Sequence, residues 1–286
     1  MSEHPVWRYD NQMPAGREFA IFHSSNTTAQ PMVYHSHHYY EIYFILRGSI
    51  HVIAEEMDLT PALGDALIYP PHCMHRVVHT DPSQPYERFY LYLTKEFLSS
   101  ISTEDYNFIA ELDKLTTGGQ RCVQPGEQAV LELVPMADEI IEAAKDTSPA
   151  GVLANRCRMT MYLIHLLAIL QKSIAPETTD TTSRMSELIR YINQNAAQPL
   201  TLDQLSEVFG ISKFALLHEF KAHTGVSVYQ YILTRRVLLA QEMIRQGAKP
   251  RQACEESGFA DYAGFYRAFK ARTGMSPNQY GKAQRG

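Results

Sequence analysis

The sequence predicts a multidomain α+β protein: an antiparallel β barrel with flanking helices, then an all-α domain carrying two helix-turn-helix units. Three observations predict it. From Val6 to about Leu93 the text is aromatic and β-branched, cut at short intervals by Gly, Pro and Asp, as in EIYFILRGSIHVIAEEMDLTPALGDALIYPP, the rhythm of short antiparallel strands. Beyond about Lys95 that rhythm gives way to apolar residues at helical spacing. Finally, FKAHTGVSVYQY, Phe220 to Tyr231, returns 49 positions later as FKARTGMSPNQY, Phe269 to Tyr280, with eight identities. One structural phrase is written twice.

Taken in order, the first element after the strands is a helix through Val130, Leu133, Val134, Ala137, Ile140, Ile141 and Ala144, with a kink or break expected at Pro135. A second helix is expected from about Val152 to Lys172. SIAPETTDTTS, Ser173 to Ser183, is polar and aperiodic and reads as a linker. Thr201 and Gln204 then match a capping box that opens a helix with Leu202, Leu205 and Val208 as apolar positions. Gly210 breaks it, and Ser212 caps the next helix, Lys213 to about His223, which Gly225 closes. A long helix is expected from about Val228 to Gln246. The layout then recurs, with a helix around Gln252 to Ser257, a turn at Gly258-Phe259, and a helix from about Asp261 to Arg272 ended by Gly274. Each repeated phrase is therefore the end of a second helix plus the turn after it. The expected divisions are 1–108, a strand-rich domain; 109–172, a helical dimerisation region; 173–183, the linker; and 184–286, a domain with two helix-turn-helix units.

Composition limits what these parts can be. At 286 residues the chain can bury two cores. No apolar run reaches the roughly 20 residues of a membrane helix; the longest, Met159 to Leu170, carries Thr, Tyr and His and reads as a buried or interface helix. The N-terminal MSEHPVWRYD lacks signal-peptide blocks, so the expected location is cytoplasmic, away from membranes. Cys73, Cys122, Cys157 and Cys254 form no CxxC pair and suggest neither a disulfide framework nor a cysteine zinc site. They read as reduced, mostly buried thiols. Residues 184–286 hold 14 Lys/Arg against 8 Asp/Glu, whereas residues 1–183 hold 12 against 23. A basic C-terminal part suits a nucleic-acid partner, because phosphate neutralisation supplies most non-specific affinity.

The stretches ISKFALLHEFKAHTGVSVYQYILTRRVLLAQEMI and GFADYAGFYRAFKARTGMSPNQY resemble the DNA-binding domain of the AraC family of bacterial transcription regulators. The resemblance implies that both second helices enter adjacent major-groove segments about 34 Å apart. Helical spacing turns Leu216 with Phe220, and Phe265 with Phe269, inward. That leaves Phe214, Leu217, His218 and Lys221 on one helix, and Tyr262, Ala263, Tyr266 and Arg267 on the other, toward solvent or DNA. Arg267 is the expected reader of guanine, and Lys221, Lys270 and Arg272 are the expected phosphate contacts. Three departures from the family pattern stand out: the first recognition helix offers no Arg, so its readout would lean on thymine methyl contacts and shape; Pro250 replaces an apolar helical residue; and Gly264 lies inside a predicted helix.

HSHHYYEIYFILRG, residues 35 to 48, and GDALIYPPHCMHRVVH, residues 64 to 79, resemble the two cupin motifs, except that His72 stands where the pattern has Gly and His79 where it has Asn. Such barrels are common effector-binding domains in the AraC family. Strand parity puts His35, His37, Glu41 and Tyr43 on one side, and His75, Val77 and His79 together on theirs. Facing inward, His35, His37, Glu41 and His75 make a set suited to zinc, nickel, iron or manganese; a metal-free barrel that keeps these residues for packing stays open. Trp7, Tyr9, Tyr34, Tyr39 and Tyr43 are candidates to line a site for a sugar-like effector. The expected protein is a ligand-responsive regulator and not an enzyme. Its expected partners are promoter DNA, the effector and a second copy of itself, and RNA polymerase is compatible with the same reading. A metal-dependent cupin enzyme tethered to DNA and a metal-responsive regulator are the alternatives.

Overall fold

Alternation in Tyr86–Leu93 gives one strand two unlike faces: Phe89, Leu91 and Leu93 on one side, Tyr86, Arg88, Tyr90 and Tyr92 on the other. A computed structural model, which describes residues 7–9, 13–14, 16–26, 34–55, 57–81, 83–116, 122–173 and 184–283, shows what each face meets. The strands are β1 (Trp7–Tyr9), β2 (Phe19–Asn26), β3 (Tyr34–Ser36), β4 (Tyr40–Arg47), β5 (Ile50–Ala54), β6 (Met57–Leu59), β7 (Ala66–Tyr69), β8 (His75–His79), β9 (Tyr86–Leu93) and β10 (Cys122–Val123). The helices beside them are α1 (Lys95–Ile101), α2 (Phe108–Leu115), α3 (Glu127–Ala143) and α4 (Pro149–Lys172). Contacts divide the described residues into two units. The N-terminal unit holds β2, β4 to β10 and α1 to α4, whereas β1 and the first two residues of β3 group with the C-terminal helices.

In the N-terminal unit, β10, β7, β4, β9 and β2 pair antiparallel in that order. One face of this sheet, with Ile42, Phe44, Ile68, Phe89 and Leu91, packs on the helices through Leu133, Ile140, Met159, Leu163 and Leu166. The other face, with Tyr43, Ile45, Leu67, Tyr69 and Tyr86, packs on Ile50, Val52, Ala54 and Val77 of the antiparallel strands β8, β5 and β6. The result is a sandwich with helices on one outer face. Gly48 turns β4 into β5 at φ 94°, where a side chain would meet the Pro85 carbonyl at 2.9 Å. α3 runs through Pro135 without ending, since buried Leu133 and Ala137 anchor it on both sides. No helix among the described residues is long and apolar enough to cross a membrane. Of the cysteines, Cys73 and Cys254 are buried, Cys122 is half-buried and Cys157 is exposed.

The C-terminal unit consists of α5 (Arg184–Asn195), α6 (Leu202–Phe209), α7 (Lys213–Thr224), α8 (Val228–Arg245), α9 (Pro250–Glu256), α10 (Tyr262–Thr273) and α11 (Pro277–Ala283). The expected linker falls at Ser173 and in residues 174–183, and the latter lie outside the described residues. Pro250 is accounted for: it opens α9 at a first-turn position, where a missing N–H costs nothing. Gly264 is not mid-helix either. It sits in the first turn of α10, its N–H bonded to the capping carboxylate of Asp261 at 2.7 Å, and a Cβ there would press on that carboxylate at 3.1 Å.

The repeated phrase is now readable atom by atom. Phe220 and Tyr231 meet edge-on with ring centroids 5.4 Å apart, and so do Phe269 and Tyr280. Thr224 and Thr273 donate their hydroxyls to the carbonyls of Phe220 and Phe269 and accept from the N–H two residues on. Gly225 and Gly274 take positive φ and close the helices onto the carbonyls of Lys221 and Lys270. Ser227 with Gln230, and Ser276 with Gln279, bond reciprocally to open the next helices. Six of the eight shared residues thus hold the turn. The other two, Lys and Ala, are exposed at both places.

Candidate functional site

Register brings the inner-facing side chains of the sandwich together. Glu41, Tyr43 and Ile45 of β4 lie opposite Tyr92, Tyr90 and Arg88 of β9, while His75, Val77 and His79 of β8 lie opposite Ala54, Val52 and Ile50 of β5. Two polar groupings result. In the first, Glu41 Oε2 contacts His37 Nε2 at 2.9 Å and His75 Nε2 at 3.2 Å, all three residues buried. The opposite ring nitrogens face carbonyls, His37 Nδ1 that of Tyr39 at 2.8 Å and His75 Nδ1 that of Cys73 at 3.2 Å. Carbonyls only accept, so both Nδ1 atoms carry a proton, and each contact with the carboxylate needs a proton at Nε2 or a cation in its place. Burial alone would raise the Glu41 carboxyl, but the hydrogen bonds and charge of the two imidazoles outweigh it and hold the group well below the usual carboxylate range. Burial lowers His75, with Glu41 opposing.

His72 links the two motif segments, its N–H donating to the His37 carbonyl at 2.7 Å. It holds φ 67°, the conformation for which the cupin pattern has glycine; a side chain there costs about 1–2 kcal/mol. The departure changed the residue and kept the backbone.

The second grouping gathers around Tyr86. The Arg88 guanidinium lies 4.7 Å from its ring centroid and 5.6 Å from that of Tyr90, and the His79 ring stacks on it at 5.3 Å. Tyr43 is 6.4 Å from Tyr86 and 5.9 Å from Tyr90, ring to ring. Sequence reasoning named Tyr43 and placed His79 in its motif, but it missed Tyr86, Arg88 and Tyr90. The signal was the alternation in YERFYLYL, where one parity is Tyr, Arg, Tyr, Tyr and the other purely apolar below Glu87.

The remaining candidates are Tyr39, Tyr34, Trp7, Tyr9 and His35. Tyr39 stacks on His37 at 4.2 Å and packs with Met13 and Tyr92. Tyr34 lies against Tyr231 of α8, with ring centroids 6.0 Å apart, inside the C-terminal unit. Trp7 and Tyr9 form β1, which groups with the same unit, but their side chains lie outside the described residues. His35 is buried on β3 and also groups with that unit.

In the C-terminal unit the inward and outward assignments hold. Leu216, Phe220, Phe265 and Phe269 are buried, while Phe214, Leu217, His218 and Lys221 of α7, and Tyr262, Ala263, Tyr266, Arg267 and Lys270 of α10, are exposed. Arg272 departs from its expected role: it is half-buried, with Nε 3.3 Å from Thr234 Oγ1 of α8, and serves as a tie between helices.

A family model described as an AraC-like ligand binding domain matches residues 20–155, and one described as a helix-turn-helix domain matches residues 205–283. The HTH-type transcriptional activator RhaS of Salmonella schwarzengrund is 26% identical over 249 residues, covering 85% of each chain; the activator of the same name from Salmonella arizonae matches to the same extent. Among solved structures, ToxT from Vibrio cholerae covers 93% of this chain and 98% of its own, at 12% identity and a TM-score of 0.38.

Proposed function

The chain belongs to the AraC family of transcription regulators, and from that premise we propose that it couples a small molecule held inside the β sandwich to promoter recognition by α7 and α10. One observation carries the proposal. The two shared residues whose side chains the repeated turn does not use are an exposed lysine and alanine in each copy, and the ammonium groups of Lys221 and Lys270 have no partner among the described residues. A surface kept free of fold duties, in two copies and beside exposed Arg267, suits the DNA backbone and bases. The ligand acts by favouring one arrangement of the units over another, and it is returned unchanged. Thermal-shift screening with compound libraries, followed by recovery and analysis of the hit, tests both points: a bound effector raises the melting temperature, whereas consumption of the compound would reveal an enzyme.

A divalent transition metal fits the first polar grouping. Both imidazoles donate Nδ1–H to backbone carbonyls, the support that metal-ligating histidines receive. His37, His75 and Glu41 would hold the ion, and the ion would supply a positive centre for polar effector groups. Elemental analysis of protein purified without chelator should find stoichiometric metal in the wild type, lost in the His37→Ala, Glu41→Ala double variant. Wild type that carries no metal and takes up none on dialysis would leave the residues a structural role.

The sensor also pairs with a second copy. Leu153, Met161 and Ile164 are exposed on one side of α4, and Met161 lines the groove where Glu139 of α3 and Arg158 of α4 sit. A two-fold axis there covers the apolar stripe and lets Glu139 of one copy meet Arg158 of the other. Sedimentation at micromolar concentration should show a dimer for the wild type and a monomer for Met161→Arg; a monomeric wild type overturns the assignment.

A further inference from the structure

We infer that the sandwich interior takes a small ring compound bearing a carboxylate, with Arg88, Tyr86 and Tyr43 binding the carboxylate. The inference rests on the reading that the effector sits in this interior, and it adds the effector's chemistry. Four buried polar atoms in one grouping have no hydrogen-bond partner among the described residues: Arg88 Nη1, Tyr86 Oη, Tyr43 Oη and His79 Nε2. Buried polar groups are nearly always bonded, and each that is not costs about 1–3 kcal/mol. A single such atom means little. Four on side chains gathered around the Tyr86 ring make a set.

The set has a sign. Arg88 is a cation that can only donate, and it forms no ion pair among the described residues. Burial raises the Tyr86 hydroxyl above its usual range, so it keeps its proton and donates as well. Tyr43 can donate, and His79 can do so through Nε2. Donors around a fixed cation call for an acceptor-only partner with negative charge, and a carboxylate matches a guanidinium in a two-pronged geometry. Glu41, an acidic side chain on the same face of β4 as Tyr43, is already engaged by His37 and His75. The walls are aromatic: Phe22 stacks on Tyr90 at 5.0 Å, and Tyr90 on Tyr43 at 5.9 Å. Such walls suit a ring, and a sugar acid or an aromatic acid supplies the shared chemistry.

Calorimetric titration of the full chain can decide. The probes are glucuronate and galacturonate against glucose and galactose, and benzoate against benzyl alcohol. An acid of one series should bind about ten- to a hundredfold more tightly than its neutral counterpart, and which series responds identifies the source. Arg88→Gln should abolish that preference, Arg88→Lys should retain part of it, and Tyr86→Phe, which keeps the ring stack, should weaken the acid several-fold. Thermal melts without ligand check that the variants fold. Neutral compounds binding as tightly as the acids, with Arg88→Gln neutral in effect but Val77→Trp blocking, overturn the carboxylate and keep the interior site. Binding that survives Val77→Trp overturns the interior site itself. Failure of every acid to bind also overturns the inference.

Discussion

Phe220→Ala is expected to destabilise the C-terminal unit by about 3–5 kcal/mol, whereas Phe214→Ala, six residues earlier on the same helix, should leave stability within about 0.5 kcal/mol. Phe220 is 0% exposed and meets Tyr231 edge-on. Its truncation removes a ring from a closed core and breaks the contact that seats α7 on α8. Phe214 is 81% exposed, and its ring stacks on that of His218 at 6.3 Å between centroids. An aromatic ring held in water has no stabilising work to lose. Its place on the outward face of α7 suits it to the proposed thymine methyl contacts, so Phe214→Ala should weaken operator binding instead. Hydrogen exchange of the α7 and α8 amides, with DNA affinity measured in parallel, separates the two. Equal exchange in wild type and Phe220→Ala would contradict the packing argument.

On the second recognition helix, Arg267→Ala should cost about 1–3 kcal/mol on the cognate site and relax preference at one base pair. The exposed guanidinium can bond both O6 and N7 of guanine. Lys221→Ala and Lys270→Ala should weaken every sequence alike, each lowering the slope of log K against log salt by roughly 0.9 in magnitude. α7 offers no arginine, so His218→Ala and Leu217→Ala should cost less than Arg267→Ala, and the half-site under α7 should tolerate more base changes. Binding across a site-saturation library at two salt concentrations measures all of this. If Arg267→Ala loses affinity equally on all sequences, it is an anchor and not a reader.

What could be read in advance was what depends on neighbours in the chain. The helix ends at Gly225 and Gly274, the capping pair Thr201/Gln204 and the inward pairs four residues apart all involve atoms within one or two helical turns. His37, Glu41 and His75 were found because their spacing is a motif. The Arg88 grouping was not, since which face of β9 meets the second sheet depends on pairing with β4 and on helices some fifty residues later. Tyr34 and Tyr43 look equivalent as text. One packs on α8 and the other faces the sandwich interior, a difference set by contacts that no local pattern encodes. Arg272 was misplaced for a similar reason: its anchor, Thr234, is on another helix.

α8 is the common neighbour of α5, α7, α9, α10 and α11, with buried residues along its whole length from Val228 to Ile244. Such a helix converts length into angle. One residue more or less between the two recognition helices shifts the second by about 1.5 Å but turns it by about 100°, so Arg267 would face away from the groove that α7 had entered. The connecting helix is thus a phase-keeping element. Among descendants of this gene, single-residue insertions should be admissible in the segments before α5 and forbidden between Val228 and Arg245, where substitutions can accumulate but length cannot drift.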